Sequence, residues 1–187
     1  MENSGWMPDA SSPSRPLVTV MARYGLISGL LSLAAVVSFY YMGKHPFWIY
    51  PMFDVRILFI AIFLVFGLRE VRDYFFGGIL FFWQGLGGSL VFLMVMATLC
   101  YAGILAFGSF EPGFLREYIR QGFEQIDALS PEALQQIGAP AVEETRLNLP
   151  NTTLEWMARR YATQTFGFGF FITIIIAVVL RRQPKIE

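Results

Sequence analysis

Residues 74–110 read YFFGGILFFWQGLGGSLVFLMVMATLCYAGILAFGSF, 37 positions without one charged side chain. Hydrocarbon excludes charge, and about 20 apolar residues cross its roughly 30 Å. One straight helix over residues 78–110 would be about 50 Å long at 1.5 Å per residue. That is more than one crossing needs. Three explanations stay open: a helix that starts on the membrane surface and turns in, a strong tilt, or a break at residues 85–88. A break must be shielded by protein or line a cavity, and such breaks can host binding sites. Gln84, Gly85 and Gly88 are therefore candidate site residues, in a stretch (77–89) that holds five glycines. Gln84 can bridge helices or face headgroups. The glycines are equally explained by close helix packing.

Working outward, the rest of the chain has the same character. Of its 187 residues 55% are hydrophobic and only 15% charged, against about 25% charged in a soluble domain. Mean hydropathy is +0.51. Residues 24–42, YGLISGLLSLAAVVSFYYM, and 161–180, YATQTFGFGFFITIIIAVVL, carry no charge. Residues 53–68, FDVRILFIAIFLVFGL, reach span length only if Asp54 and Arg56 sit at the interface. Intramembrane charges are functional by default, so this pair joins the candidates, although arginine near a helix end can snorkel to water.

The expected fold is an all-α integral membrane protein of four transmembrane helices, at about 18–42, 51–69, 78–108 and 160–181. They form one membrane domain over residues 17–182. An amphipathic helical extracytoplasmic segment, 111–159, lies between spans three and four. Residues 1–16 are read as a disordered tail without the apolar core and cleavage site of a secretory signal, and 183–187 as a second tail.

Cytoplasmic flanks collect lysine and arginine. With four spans, Arg15, Arg23, Arg69, Arg72, Arg181, Arg182 and Lys185 share one side. Both termini are therefore expected in the cytoplasm. Arg159 and Arg160, beside span four, run against that trend. The outer loop GKHPFWIYPMF (43–53) offers Phe47, Trp48 and Tyr50 as an interfacial aromatic belt. His45, the only histidine, is read as a solvated loop residue. Cys100 is expected to pack as a small hydrophobe.

In the outer segment Phe114, Leu115, Tyr118, Ile119, Phe123, Ile126 and Leu129 recur at helical spacing, with Glu117, Arg120, Glu124 and Asp127 between them. This predicts an amphipathic helix of about four turns. It could lie on the membrane, cover the spans or dock a partner. Ser130-Pro131-Glu132 predicts the cap and first turn of a short helix that ends at Gly138. Residues 139–150 read as a linker. Asn151-Thr152-Thr153 offers a cap for a helix running unbroken into span four.

ARYGLISGLL at the first span, the hinge REVRDYFFGGILFFWQGLGGS and the following FEPGF together resemble DUF4199, a family of uncharacterised membrane proteins seen mostly in Bacteroidetes. The positions that carry the resemblance are Tyr24, Gly25, Gly29, Arg69, Gly78, Phe81, Gln84 and Gly88. It covers spans one to three. It implies four spans and the bacterial inner (plasma) membrane, and no reaction.

No catalytic, metal or cofactor signature is visible, and the zero net charge gives no nucleic-acid footprint. The expected partners are the lipid bilayer and another membrane protein or a second copy. The favoured function is a non-catalytic accessory or scaffold subunit. A small oligomeric transporter or channel is the alternative, and it would need polar groups deep in the spans. A lipid-modifying enzyme would need clustered chemistry. Asp54, Glu70 and Asp73 are available, but the last two fall on the opposite helix face, among Arg69 and Arg72.

Overall fold

The computed structural model describes residues 14–49 and 54–183. The fold of these residues is all-helical: α1 (Ser14–Tyr41), α2 (Val55–Glu70), α3 (Phe82–Phe110), α4 (Gly113–Asp127), α5 (Pro131–Ile137), α6 (Ala139–Asn148) and α7 (Leu154–Leu180). Three of the helices, α1, α3 and α7, are long and apolar enough to cross a membrane. Their apolar side chains do not all point inward. Leu30, Met94, Phe171, Ile175 and Val179 are more than half exposed, as a helix that is apolar all round requires when its outer face meets lipid. α2, at 16 residues, is shorter, about 24 Å.

α3 packs chiefly between α1 and α7, and α2 closes the other side of those two. Small residues set the spacing. A Cβ on Gly25 would stand 2.6 Å from the Phe92 carbonyl oxygen, so α1 and α3 touch backbone to backbone there. Gly25→Ala must therefore widen the α1–α3 spacing, with an expected loss of about 1–3 kcal/mol. Gly87 has nothing within 4 Å of its missing Cβ. Gly87→Ala should be neutral, or stabilising by up to about 1 kcal/mol through helix propensity. Thermal unfolding of the two variants in mild detergent checks the contrast.

The long uncharged run is divided before it becomes a span. After α2 a π-helical turn (Val71–Phe75) leads into a tight turn at Gly77 and Gly78, whose φ of +59° and +83° suit glycine. Leu80 then exchanges two backbone hydrogen bonds with Arg182, of 3.0 and 2.8 Å. These bonds tie the start of α3 to the end of α7. α3 starts at Phe82 and runs straight through residues 85–88. No break lies at those glycines, and the third helix starts four residues later than the expected 78.

The remaining differences have local causes. α1 already includes residues 14–16, which were expected in the tail. The tail's disorder falls on residues 1–13, outside the described residues, as do Tyr50, the start of the second span at 51–53, and residues 184–187. Residues 139–150 are not a linker but α6 and a 3-10 turn. Pro140 stands in the first turn of α6, where proline is tolerated, and Glu143, Glu144, Arg146 and Leu147 favour a helix. Ser130 caps α5 by accepting from the Ala133 N–H at 3.2 Å, and Gly138, at φ +89°, ends it. The cap of α7 is Thr153, which accepts from the Trp156 N–H at 3.2 Å. α7 then runs unbroken to Leu180.

Candidate functional site

Asp54 and Arg56 open α2. The Asp54 carboxylate accepts from the Arg56 N–H at 2.9 Å, a helix N-cap. Its other oxygen takes the Arg56 Nε at 2.7 Å and pairs with Nη2. Arg56 does not reach for water, although its position at a helix end would allow that. It is 5% exposed. Its Nη1 donates to the Tyr161 carbonyl at 3.0 Å and to the Thr165 hydroxyl at 2.9 Å, both on α7. The guanidinium lies 3.5 Å above the Tyr161 ring centroid. All three nitrogens of the fork thus donate inside the protein, as a buried charge demands. The arrangement clamps α2 to α7. It also holds the cation paired and enclosed, which suits fastening better than chemistry.

Tyr161 and Thr165 escaped the sequence reading. Their signal was the polar YATQT start of an otherwise apolar span. Cys100, on α3, is fully buried near this clamp. Beside Asp54 and Tyr161 lies a cavity of about 10 Å3, room for about one water.

The glycine-rich candidates separate from the clamp. Gln84 caps α3: its side-chain oxygen accepts from the Phe81 N–H at 3.1 Å. The missing Cβ of Gly88 would meet Leu17 at 2.8 Å, on α1, and that of Gly85 would meet Ala177 at 3.5 Å, on α7. The two glycines let α1 and α7 close on α3 at one end of the bundle, while Asp54 and Arg56 fasten the other. The hinge carboxylates are paired too. Glu70 accepts from Arg23 at 2.6 Å and from the Tyr24 hydroxyl at 2.8 Å. Arg72 donates to Asp73 at 2.6 Å and holds its carboxyl below the usual range. The hinge thus uses α1 as well as its own arginines.

A third constellation sits at the Asp54 end. α4 lays its apolar face over the ends of α1 and α3, so of its three expected roles it adopts the one that covers the spans. Phe114 and Tyr118 are buried. Trp48 stacks on Tyr118 at 4.8 Å and 10°, and its indole N–H donates to the Tyr118 carbonyl at 3.0 Å. Gln121 ties the helix to the loop below it, accepting from the His45 N–H at 3.0 Å and donating to the Gly43 carbonyl at 3.1 Å. Phe47 and Trp48, expected in an interfacial belt, are turned under this cap.

His45 corrects an expectation. It is 1% exposed, not solvated, and is enclosed by Phe114, Tyr118 and Phe47 at 4.6, 5.3 and 5.6 Å between centroids. Its Nδ1 accepts from the Phe47 N–H at 3.4 Å. Nε2 has no hydrogen-bond partner among the described residues. Burial pushes the imidazole down to about 4; the Phe114 backbone and Glu117 oppose this more weakly. Arg120 and Gln121 bonds hold Glu117 down at about 2. A lone histidine next to Lys44 carries no sequence signal for burial, because the cover comes from α4, some 70 residues away.

Among the described residues no cluster of His, Cys, Asp and Glu could hold a metal ion. No curated protein and no solved structure matches the chain. A family model described as a protein of unknown function, DUF4199, matches residues 23–182, a stretch that takes in the hinge, the clamp and the whole cap. The chain belongs to the DUF4199 family.

Proposed function

We propose that this protein is a four-span, non-catalytic accessory or scaffold subunit of the bacterial inner membrane. In this reading α2 is the fourth span, both termini are cytoplasmic, and α4–α6 form an outer cap. The observation that carries the reading is how the polar groups inside the bundle are used. Arg56, Asp54 and Thr165 are spent on joining or capping helices, and Ser89 donates to the Gly85 carbonyl of its own helix; Thr173 on α7 is a buried hydroxyl without a partner among the described residues. The larger grooves lie at the two ends of the bundle, and the cavity beside Asp54 has room for only about one water. A transporter would need a wider polar path.

Charge supports the orientation. Among the described residues, six arginines accompany two carboxylates at the end that carries the hinge, and seven cations accompany nine carboxylates at the capped end. Counted over the short flanks alone, those six arginines stand against Lys44 and Arg56 in the short loop of the other end, and the flanks richer in cations belong in the cytoplasm. The α2 span is short, but Asp54 and Arg69-Glu70 bracket it at the two interfaces.

Purification from the native membrane in mild detergent tests the role. A stoichiometric membrane-protein partner or a homo-oligomer is expected. Recovery of a lone monomer in every detergent, or ion or lipid flux in liposomes that hold the protein alone, would contradict it.

A further inference from the structure

The capped end is acidic, yet it carries one basic groove. Arg159 and Arg160 lie in the second turn of α7, immediately before the uncharged run of residues 161–180. Both are exposed. Neither forms an ion pair among the described residues, although Glu155 lies one turn before Arg159 on the same helix. The two side chains line a groove of about 850 Å3 between α4, α6 and α7, with Trp48, Tyr118, Trp156 and Glu144. That volume is in the range of ligand sites, roughly 300–1,000 Å3.

The walls are ordered by packing. The Arg160 guanidinium sits 5.1 Å from the Trp156 ring centroid, within cation–π range, and it faces the Tyr118 hydroxyl. Tyr118 is itself held by its stack on Trp48. The α7 N-terminus, capped by Thr153, adds its partial positive charge. Against two guanidinium groups the groove sets one carboxylate, Glu144, so its balance stays positive. Arginine forks match phosphate oxygens, and tryptophan favours the headgroup layer. Two cations that run against the charge bias of their own side, unpaired and in a concave aromatic setting at headgroup level, have the chemistry of a phosphate site.

We propose that this groove binds the phosphodiester of an anionic lipid headgroup in the outer leaflet, with Arg159 and Arg160 as its ligands. The site rests on the four-span reading only for its height in the membrane. A binding test in micelles is independent of topology and of any partner, so the two can fail separately.

The test uses the full chain in mild detergent. Phosphatidylglycerol and phosphatidylcholine are added in equal amounts, and bound lipid is read by native mass spectrometry. Phosphatidylglycerol should be retained about tenfold over phosphatidylcholine, which offers the same phosphodiester but adds a choline ammonium that the two guanidinium groups repel. Arg159→Gln with Arg160→Gln should erase that preference, and Arg181→Gln with Arg182→Gln at the other end should keep it. Glu144→Gln should strengthen it, which supplies a second readout if the double arginine variant does not fold. Equal retention of the two lipids, an unchanged preference in the Arg159/Arg160 variant, or loss in the Arg181/Arg182 variant instead would overturn the assignment. Displacement by inorganic phosphate at the same concentration would move the ligand from lipid to solute and overturn it as well.

Discussion

Asp54→Ala is expected to cost the fold about 3–5 kcal/mol, the range for stranding one member of a buried ion pair. Arg56 would keep its bonds to the Tyr161 carbonyl and Thr165 hydroxyl and its seat on the Tyr161 ring. It would have no counterion in a site where it is 5% exposed. Loss of the N-cap on the Arg56 N–H adds about 1 kcal/mol. Asp54→Asn should cost less, because its amide oxygen can still cap α2. The double variant Asp54→Asn with Arg56→Met should recover most of the loss, since apolar packing replaces buried pairs at little or no cost. Unfolding in mild detergent, followed by tryptophan fluorescence, measures all three. If Asp54→Ala costs no more than a lost cap, the clamp is not what holds α2 to α7.

Acidification is expected to loosen the α4 cap between pH 6.5 and about 4. The His45 imidazole titrates near 6.5 when unfolded and is lowered to about 4 in its seat. In that window the unfolded chain binds the extra proton, so stability is present above pH 6.5 and is lost as pH falls toward 4. At about 1.4 kcal/mol per unit, the effect is on the order of 3 kcal/mol. Tyr40 on α1, Phe47 in the loop, and Tyr118, Glu117 and Gln121 on α4 surround the ring. Of these only Glu117 titrates at acid pH. Its carboxyl is depressed to about 2, so its contribution is present above about 4.5 and lost only as pH falls toward 2, below the His45 window. His45→Phe keeps an aromatic ring in the seat and removes the proton. It should flatten stability between pH 6.5 and 4. Hydrogen exchange of the α4 amides, followed against pH in both proteins, reads the effect where it acts. An equal pH response in the two would place the titration elsewhere.

Both effects come from contacts that sequence periodicity cannot see. The spans were legible because charge is excluded from residues 24–42, 74–110 and 161–180, and α4 because its apolar residues repeat at helical spacing. Ser130 and Gly138 marked the ends of α5 by residue type. The destination of Arg56 was not legible. Its position allowed either an inward or a water-facing side chain, and its partners are 105 and 109 residues away. The burial of His45 depends on α4 in the same way. Residues 139–148 were misread because their helix buries nothing and so shows no amphipathic pattern. Gln84 was legible as unusual but not as a cap, since its acceptor role follows from where the hinge turn ends.

The four-span topology is tested most directly by cysteine labelling in right-side-out vesicles with a membrane-impermeant maleimide. The native Cys100 is fully buried and supplies a silent background. Lys44→Cys and Gln135→Cys should react in intact vesicles. Tyr74→Cys and Gln183→Cys should react only after lysis. Reaction of Lys44→Cys and Tyr74→Cys from the same side would show that α2 does not cross the membrane and would contradict the four-span topology.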